Sequence, residues 1–135
     1  MLSSALGFLA GQDEESKAAP CVLFCGDQAF LHDVNALTKV KDLNLPLIIV
    51  LINNAGGAIF NFFKLGSTHK VMSNEHSLNN FESVVKQFDI DYFSANDWVS
   101  LENAKKEALE TGKPAVIEVF VNGEESVSVF KSIGL

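Results

Sequence analysis

The sequence predicts an α/β fold: a parallel sheet with helices on both faces. Two short apolar runs, CVLFC at 21–25 and LIIVLI at 47–52, end at Gly and Asn, as buried parallel strands do. Segments with apolar side chains at helical spacing lie between the apolar runs. This alternation is typical of sheets whose strands are joined by right-handed crossover helices.

The first half of the chain holds two predicted strands and the helices around them. Residues 1–11 are rich in small and apolar side chains and lack the basic start of a secretory signal, so a helix is predicted. Helical spacing predicts a second helix over residues 29–43. Pro46 precedes the strand at 47–52, where a missing N–H is tolerated. Residues 64–80 are polar and irregular, which is typical of a mobile loop.

The second half continues the alternation. Apolar spacing predicts helices over residues 79–88 and 100–109, and an acidic start indicates a short helix over 124–133. AVIEVFV at 115–121 predicts another buried strand, and Tyr-Phe at 92–93 predicts a weaker one.

The composition fits one globular domain and excludes several classes of protein. A length of 135 residues is that of a single domain, so residues 1–135 are predicted to form one. With 47% hydrophobic and 20% charged residues, the chain is too apolar to be disordered, and no run approaches the roughly 18 apolar residues of a membrane span. A net charge of −7 argues against a nucleic-acid partner.

Cys21 and Cys25 are the two cysteines of the chain. Four residues of strand span about 13 Å, whereas a disulfide needs a Cα separation of about 4.4–6.8 Å. We therefore expect free, buried thiols, which indicates a reducing compartment.

Polar motifs follow the first two predicted strands, where parallel sheets bind ligands. Gly26-Asp27 follows the first strand, and NNAGGA at 53–58 follows the second. The Asp27 carboxylate, the Asn54 amide oxygen and a carbonyl of the glycine turn are oxygen ligands of the kind that Mg²⁺ prefers. Such a metal would let an acidic chain hold a diphosphate. Each motif alone is also typical of a turn or a helix cap, but their pairing across one crossover favours a site.

Gly26-Asp27 followed by Asn54 resembles the metal-binding signature of thiamine diphosphate enzymes. Three longer strings carry a narrower resemblance: GDQAFLHDVNAL (26–37), NLPLIIVLINNAGGAIFNF (44–62) and HSLNNFESVVKQFDIDY (76–92). They are most similar to the C-terminal domain of the 2-succinyl-5-enolpyruvyl-6-hydroxy-3-cyclohexene-1-carboxylate synthases of menaquinone and phylloquinone biosynthesis, called MenD-type enzymes below. The resemblance runs nearly from end to end.

The resemblance implies a set of site residues. The implied Mg²⁺ ligands are Asp27, Asn54 and the carbonyl of Gly56. The residues implied to contact thiamine diphosphate are Gly26, Asp27, Gln28, Ala29, Asn54, Gly56, Gly57, Ala58 and Ile59. The implied substrate pocket is lined by Ile59, Phe60 and Phe63, for which a buried helical turn is the structural alternative. Gln28 and Lys64 depart from residues common in the family, and neither change removes a metal ligand.

The resemblance also implies an activity that this chain does not complete. MenD-type enzymes decarboxylate 2-oxoglutarate and add the product to isochorismate. Their cofactor is activated by a Glu from the pyrimidine-binding domain of another subunit. We therefore expect a C-terminal fragment of a longer, homo-oligomeric enzyme, without a catalytic residue of its own, in the cytoplasm or a plastid stroma. Two alternatives stay open: an acetolactate synthase or 2-oxo acid decarboxylase relative, and a noncatalytic module that keeps the fold.

The histidines and the tryptophan are interpreted as structural or solvated. His32 is adjacent to Asp33 on a predicted helix, where the two side chains point apart. His69 and His76 lie in the polar loop without a partner at ligand spacing, so both are expected to be solvated. Trp98 is expected to pack at the start of the helix over 100–109.

Overall fold

The computed structural model describes residues 1–17, 19–63, 66–73 and 80–133 of the chain. The strands are β1 (Cys21–Gly26), β2 (Leu47–Asn53), β3 (Asp91–Ala95) and β4 (Ala115–Phe120). They form one parallel sheet in the order β1-β2-β4-β3. The α-helices are α1 (Leu2–Ala10), α2 (Glu14–Lys17), α3 (Asp27–His32), α4 (Leu37–Leu43), α5 (His69–Ser73), α6 (Glu82–Lys86), α7 (Trp98–Thr111) and α8 (Gly123–Ser132). Single 3₁₀ turns cover Val34–Ala36, Ala58–Phe62 and Gly66–Thr68.

Helices cover both faces of the sheet, which confirms the predicted fold class. Side chains alternate along a strand, so consecutive residues of β2 enter two different cores. Ile49 packs in one core, which also contains Leu37 of α4 and residues of α1 and α6. Val50 packs in the second core, with Ala104 and Ala108 of α7. The strand β1 lies at the edge of the sheet, and its Phe24, on the same face as Val50, is exposed.

The helix predicted over residues 29–43 is broken, which corrects that prediction. Helix α3 ends at His32, and Asp33 leaves helical geometry with φ −123° and ψ 17°. The Asp33 carboxylate accepts hydrogen bonds from the Ser3 N–H at 3.0 Å and the Ser3 hydroxyl at 2.7 Å. Because these bonds attach the crossover to the start of α1, the chain turns here before α4 begins.

Helix α7 is longer than the 100–109 segment predicted for it. Asp97 caps it by accepting a hydrogen bond from the Ser100 N–H at 2.7 Å, and Gly112 ends it in the left-handed conformation at φ 61°. The start of the helix therefore depends on the Asp97 cap rather than on aromatic packing. Trp98 is 75% exposed, so the prediction that it packs there is wrong.

The segment predicted to be irregular, residues 64–80, contains a 3₁₀ turn and α5 between residues 66 and 73. Of its other residues, 64, 65 and 74–79 lie outside the described part of the chain, and residue 80 lies within it. The two thiols are free as predicted, but Cys21 is only partly buried. No helix within the described ranges has the length and apolar character needed to cross a bilayer.

Candidate functional site

The pairing of β1 with β2 brings the two polar motifs together. Gly26 at the end of β1 lies opposite Ile52 in β2, so the residues that follow both strands emerge at one edge of the sheet. Asp27 and the turn after Asn53 meet there, because Asp27 Oδ2 accepts a hydrogen bond from the Gly56 N–H at 2.8 Å. This contact shows that the two polar motifs lie together at that edge.

Asp27 is the buried carboxylate of the site. It is 2% exposed, and its Oδ1 accepts a hydrogen bond from the Gln28 N–H at 2.7 Å. A carboxylate offers about four lone-pair positions, so one carboxylate can accept backbone donors and bind a cation together. Asp27 can therefore hold the Gly56 turn and still coordinate a cation.

Asn54 supplies an oxygen that the described residues leave without a partner. Its Oδ1 is buried, and no group in the described part of the chain hydrogen-bonds it. Because buried polar atoms almost always have partners, an unpaired acceptor in the turn that Asp27 holds marks a place for a ligand. An amide oxygen of this kind suits a hard cation such as Mg²⁺.

The turn that begins at Asn54 has an unusual backbone. Ala55 lies at φ 63° and Gly56 at φ 143°, both in the positive-φ region that residues with a side chain rarely adopt. Ala55 is held by its N–H, which donates to Asn53 Oδ1 at 2.9 Å. The Gly56 carbonyl accepts a hydrogen bond from the Ala58 N–H at 3.0 Å and keeps a second lone pair for another donor or a metal.

The donor set is mixed rather than a cluster of charged ligands. Within the described ranges, no three His, Cys, Asp or Glu side chains come together as a metal site. One carboxylate, one amide oxygen and one backbone carbonyl are oxygen donors, which fit Mg²⁺ better than metals that prefer nitrogen or sulfur. The residues present therefore fit the implied metal.

The predicted diphosphate contacts lie around this turn. Gly26 is exposed, and a Cβ added to it would meet no atom within 4 Å. Gln28 and Ala29 are half-buried in the first turn of α3, and Gly57 and Ala58 are half-buried after the glycine turn. This placement leaves room for a ligand beside the end of β1.

Gly57 is tightly constrained by α5. Its N–H donates to the Ser73 carbonyl at 2.6 Å, and an added Cβ would lie 3.0 Å from that oxygen and 3.2 Å from Phe60 Cδ2. A residue larger than glycine here would push α5 away from the turn.

A cavity of about 240 Å³ opens beside the turn. Its walls include four residues already predicted, Asn54, Gly56, Gly57 and Ala58, and the adjoining Ala55 of the same motif. The residues that sequence reasoning missed are Asn61, His69, Ser73, Asn122, Gly123 and Glu124. Asn122 follows β4, which pairs with β2, so a third polar strand end was the signal available in the sequence.

The predicted pocket residues form a surface rather than a core. Ile59 is 66% exposed and Phe63 is 58% exposed, whereas Phe60 is half-buried. The alternative interpretation, one buried helical turn, is therefore wrong, since the 3₁₀ turn over Ala58–Phe62 has no buried residue.

One of the three histidines has surroundings that differ from the prediction. His69 is half-buried and its Nε2 hydrogen-bonds Asn61 Oδ1 at 2.7 Å, so the prediction of a solvated side chain without a partner is wrong. His32 is exposed. His76 and Lys64 lie outside the described residues.

A buried carboxylate behind the turn was also missed. Glu118 of β4 is fully buried. Its Oε1 accepts a hydrogen bond from Asn53 Nδ2 at 2.6 Å, and its Oε2 accepts from the Phe81 N–H at 2.8 Å and the Tyr92 hydroxyl at 2.7 Å. Burial, followed by the hydrogen bond to Glu118 and its charge, raises the pKa of Tyr92. In the sequence, the single charge inside the apolar run AVIEVFV indicates such a residue, because a charge in a buried strand needs hydrogen-bond or ionic partners.

Comparison with known proteins places this chain among related sequences and structures. Residues 1–119 match the family model described as thiamine pyrophosphate enzyme, C-terminal TPP binding domain. Among solved structures, benzoylformate decarboxylase from Polynucleobacter necessarius superposes with a TM-score of 0.78 over 91% of this chain and 23% of that chain, at 22% identity. This likeness supports the fold.

Two curated relatives carry the name 2-succinyl-5-enolpyruvyl-6-hydroxy-3-cyclohexene-1-carboxylate synthase. The protein of Chlorobaculum parvum is 34% identical over 98% of this chain, and that of Prochlorococcus marinus is 36% identical over 84% of it. The chain spans 22% and 21% of the lengths of these relatives. With the family match covering most of its length, the chain belongs to the thiamine pyrophosphate enzymes, as a C-terminal TPP binding domain.

Proposed function

We propose that the chain is the Mg²⁺- and diphosphate-binding part of a thiamine diphosphate-dependent transferase of the MenD type. An enzyme of this type decarboxylates 2-oxoglutarate and adds the product to isochorismate. The observation that carries the metal site is the buried Oδ1 of Asn54, which has no hydrogen-bond partner among the described residues and lies in the turn that Asp27 holds. Similarity across 98% of the chain to a relative bearing that enzyme name supports this choice of reaction.

Three oxygens would hold the metal in this proposal: a carboxylate oxygen of Asp27, Oδ1 of Asn54 and the carbonyl of Gly56. Mg²⁺ is usually bound by few protein groups, with substrate phosphates and water completing its shell. The metal would thus attach the diphosphate to a chain with a net charge of −7.

The neighbouring residues would orient the cofactor. Gly26, Gln28 and Ala29 would lie along the diphosphate on one side, and Gly57 and Ala58 on the other. When bound, thiamine diphosphate supplies the electron sink for loss of carbon dioxide from a 2-oxo acid.

The apolar residues of the predicted pocket would form one wall of the reaction site. Ile59, Phe60 and Phe63 would border the cofactor and the substrate and exclude water from them. The exposure of Ile59 and Phe63 in this chain fits a wall that other parts of a complete enzyme would cover.

The complete activity would need a partner. We assign no catalytic residue to this chain, because the Glu that activates the cofactor in MenD-type enzymes comes from the pyrimidine-binding domain of another subunit. Residues 1–135 would then be one domain of a longer, homo-oligomeric enzyme, in the cytoplasm or a plastid stroma. The chain alone is expected to bind its cofactor with negligible turnover.

Calorimetric titration of the chain with thiamine diphosphate and Mg²⁺ tests the binding proposal. We expect binding that requires both components and that weakens at least about 100-fold in Asp27→Ala and Asn54→Ala, since even an outer partner of a metal ligand is worth about 10–100-fold. The matched control is Asp42→Ala, which removes an exposed aspartate of α4 and should leave affinity unchanged. Equal weak heats in all four proteins would favour the noncatalytic module.

Product analysis tests the proposed substrates. The chain, supplied with a pyrimidine-binding domain from a MenD-type relative, should consume 2-oxoglutarate and isochorismate. Turnover of pyruvate in place of 2-oxoglutarate would favour the acetolactate synthase or decarboxylase alternative.

A further inference from the structure

The fully buried Glu118 connects three separate segments of the chain. Its hydrogen bonds reach Asn53 at the end of β2, the Phe81 N–H before α6, and the Tyr92 hydroxyl in β3. All three contacts are donated to the carboxylate, which is the arrangement of an ionised group that only accepts. Among these three partners, Asn53 is the residue that leads directly to the proposed metal ligands.

The contact with Glu118 determines how the Asn53 amide is oriented. Because Glu118 Oε1 requires a donor, Asn53 must present Nδ2 to it, and this leaves Asn53 Oδ1 to accept from the Ala55 N–H at 2.9 Å. Ala55 lies between Asn54 and Gly56 and adopts φ 63°, where a hydrogen bond is needed to offset backbone strain. A relay of two hydrogen bonds thus runs from the sheet interior to the turn.

We propose that Glu118 and Asn53 are positioning residues that hold the turn over residues 54–56 in the conformation that binds the metal before the metal arrives. The inference rests on the proposed function for the identity of the ligand, while the relay itself is a property of the ligand-free chain. Neither residue contacts the cofactor in this account; both act through the backbone of Ala55.

Replacing Glu118 by glutamine should break the relay at a known point. Glutamine offers one acceptor and one donor where the carboxylate offers two acceptors. The Phe81 N–H is fixed in the backbone and keeps the acceptor, so the new amide group faces Asn53. The Asn53 amide must then rotate and place its own NH₂ against the Ala55 N–H, which loses its partner.

Exchanging the two side-chain types should restore the relay. In the double variant Asn53→Asp with Glu118→Gln, the glutamine NH₂ donates to one oxygen of the new carboxylate, whose other oxygen accepts from the Ala55 N–H. The single variant Asn53→Asp should disrupt the site, because it places two carboxylates against each other. Rescue by the exchange distinguishes a specific relay from a general requirement for a charge in β4.

The matched control is Tyr92→Phe. It removes another hydrogen bond to the same carboxylate, at Oε2, but leaves the contact between Oε1 and Asn53 in place. It should lower overall stability and leave the turn as it is in the wild type.

Amide hydrogen exchange of the ligand-free chain, resolved at residues 54–56, is the primary test. We expect the Ala55 amide to exchange about tenfold faster or more in Glu118→Gln and in Asn53→Asp, and at close to the wild-type rate in the exchanged pair and in Tyr92→Phe. Equal acceleration in Tyr92→Phe, or no rescue in the exchanged pair, would overturn the inference. If Glu118→Gln fails to fold, the comparison of Asn53→Asp with the exchanged pair still decides it.

Calorimetry with Mg²⁺ at saturating thiamine diphosphate is the second test. Glu118→Gln should bind Mg²⁺ about 10–100-fold more weakly than Tyr92→Phe does. A wild-type chain that binds no Mg²⁺ would refute the proposed function and leave the exchange experiment to decide the relay. Equal affinity in Glu118→Gln and the wild type would refute the positioning role, even with the proposed function intact.

Discussion

Replacing Asn54 by alanine is expected to abolish cofactor binding while leaving the ligand-free fold as stable as before. A residue that serves the fold loses contacts when it is truncated. Asn54 is different, because its buried Oδ1 has no hydrogen-bond partner among the described residues. The variant therefore separates a ligand-binding role from a structural one.

The expected change in stability follows from two opposing effects. An unsatisfied buried acceptor destabilises the fold by about 1–3 kcal/mol, and alanine removes it. Loss of packing by the half-buried side chain costs on the order of 1 kcal/mol. The free energy of unfolding should thus equal that of the wild type or exceed it by up to about 2 kcal/mol.

Asp27→Ala provides the contrast. It removes the acceptor for the Gln28 and Gly56 N–H groups, and hydrogen bonds to a charged group are worth about 1.5–3 kcal/mol each. This variant should lose both binding and about 3 kcal/mol or more of stability.

The assay is urea unfolding of the ligand-free chains, repeated with Mg²⁺ and thiamine diphosphate. Wild-type chain should be stabilised by the ligands through linkage, whereas Asn54→Ala should show no shift. Asn35→Ala, an exposed asparagine in the crossover, serves as the control and should behave as wild type. A ligand-free Asn54→Ala chain that loses more than about 2 kcal/mol, or that still responds fully to the ligands, would refute the reasoning.

Three further predictions concern the turn and the core. Gly57→Ala should cost about 1–3 kcal/mol in urea unfolding and weaken cofactor binding in calorimetry, because the new Cβ would lie 3.0 Å from the Ser73 carbonyl; unchanged values would show that α5 moves freely. Phe30→Ala should cost about 3–5 kcal/mol by the same assay, since Phe30 is fully buried edge-to-face against Phe81 at 5.4 Å, and a smaller loss would mean that the core collapses around the gap. Burial raises the pKa of the Cys25 thiol from 9.0 to about 11. The contribution of the buried, protonated thiol to stability is therefore complete below pH 9 and declines as the pH rises toward 11. Cys25→Ala should lack this decline, and identical pH profiles of stability in the variant and the wild type would contradict the raised pKa.

The convergence of the two polar motifs could be predicted because it depends on short-range information. Each polar motif follows an apolar run directly, and one crossover joins the two strands. Parallel pairing of consecutive strands then places Asp27 beside the turn after Asn53, as the hydrogen bond to Gly56 shows.

The features that were missed depend on contacts between distant segments. Glu118 is stable in the sheet because donors from Asn53, Phe81 and Tyr92 meet at its carboxylate, and no local pattern brings those residues together. The break in the first crossover helix likewise depends on a partner 30 residues away, since the Asp33 side chain binds Ser3.

The proposed metal site can be located by anomalous diffraction from crystals of the chain grown with thiamine diphosphate and with Mn²⁺ in place of Mg²⁺. We expect one anomalous peak bonded to a carboxylate oxygen of Asp27, to Oδ1 of Asn54 and to the carbonyl of Gly56, with a diphosphate completing the shell. A bound cofactor whose metal contacts neither Asp27 nor Asn54 would contradict it.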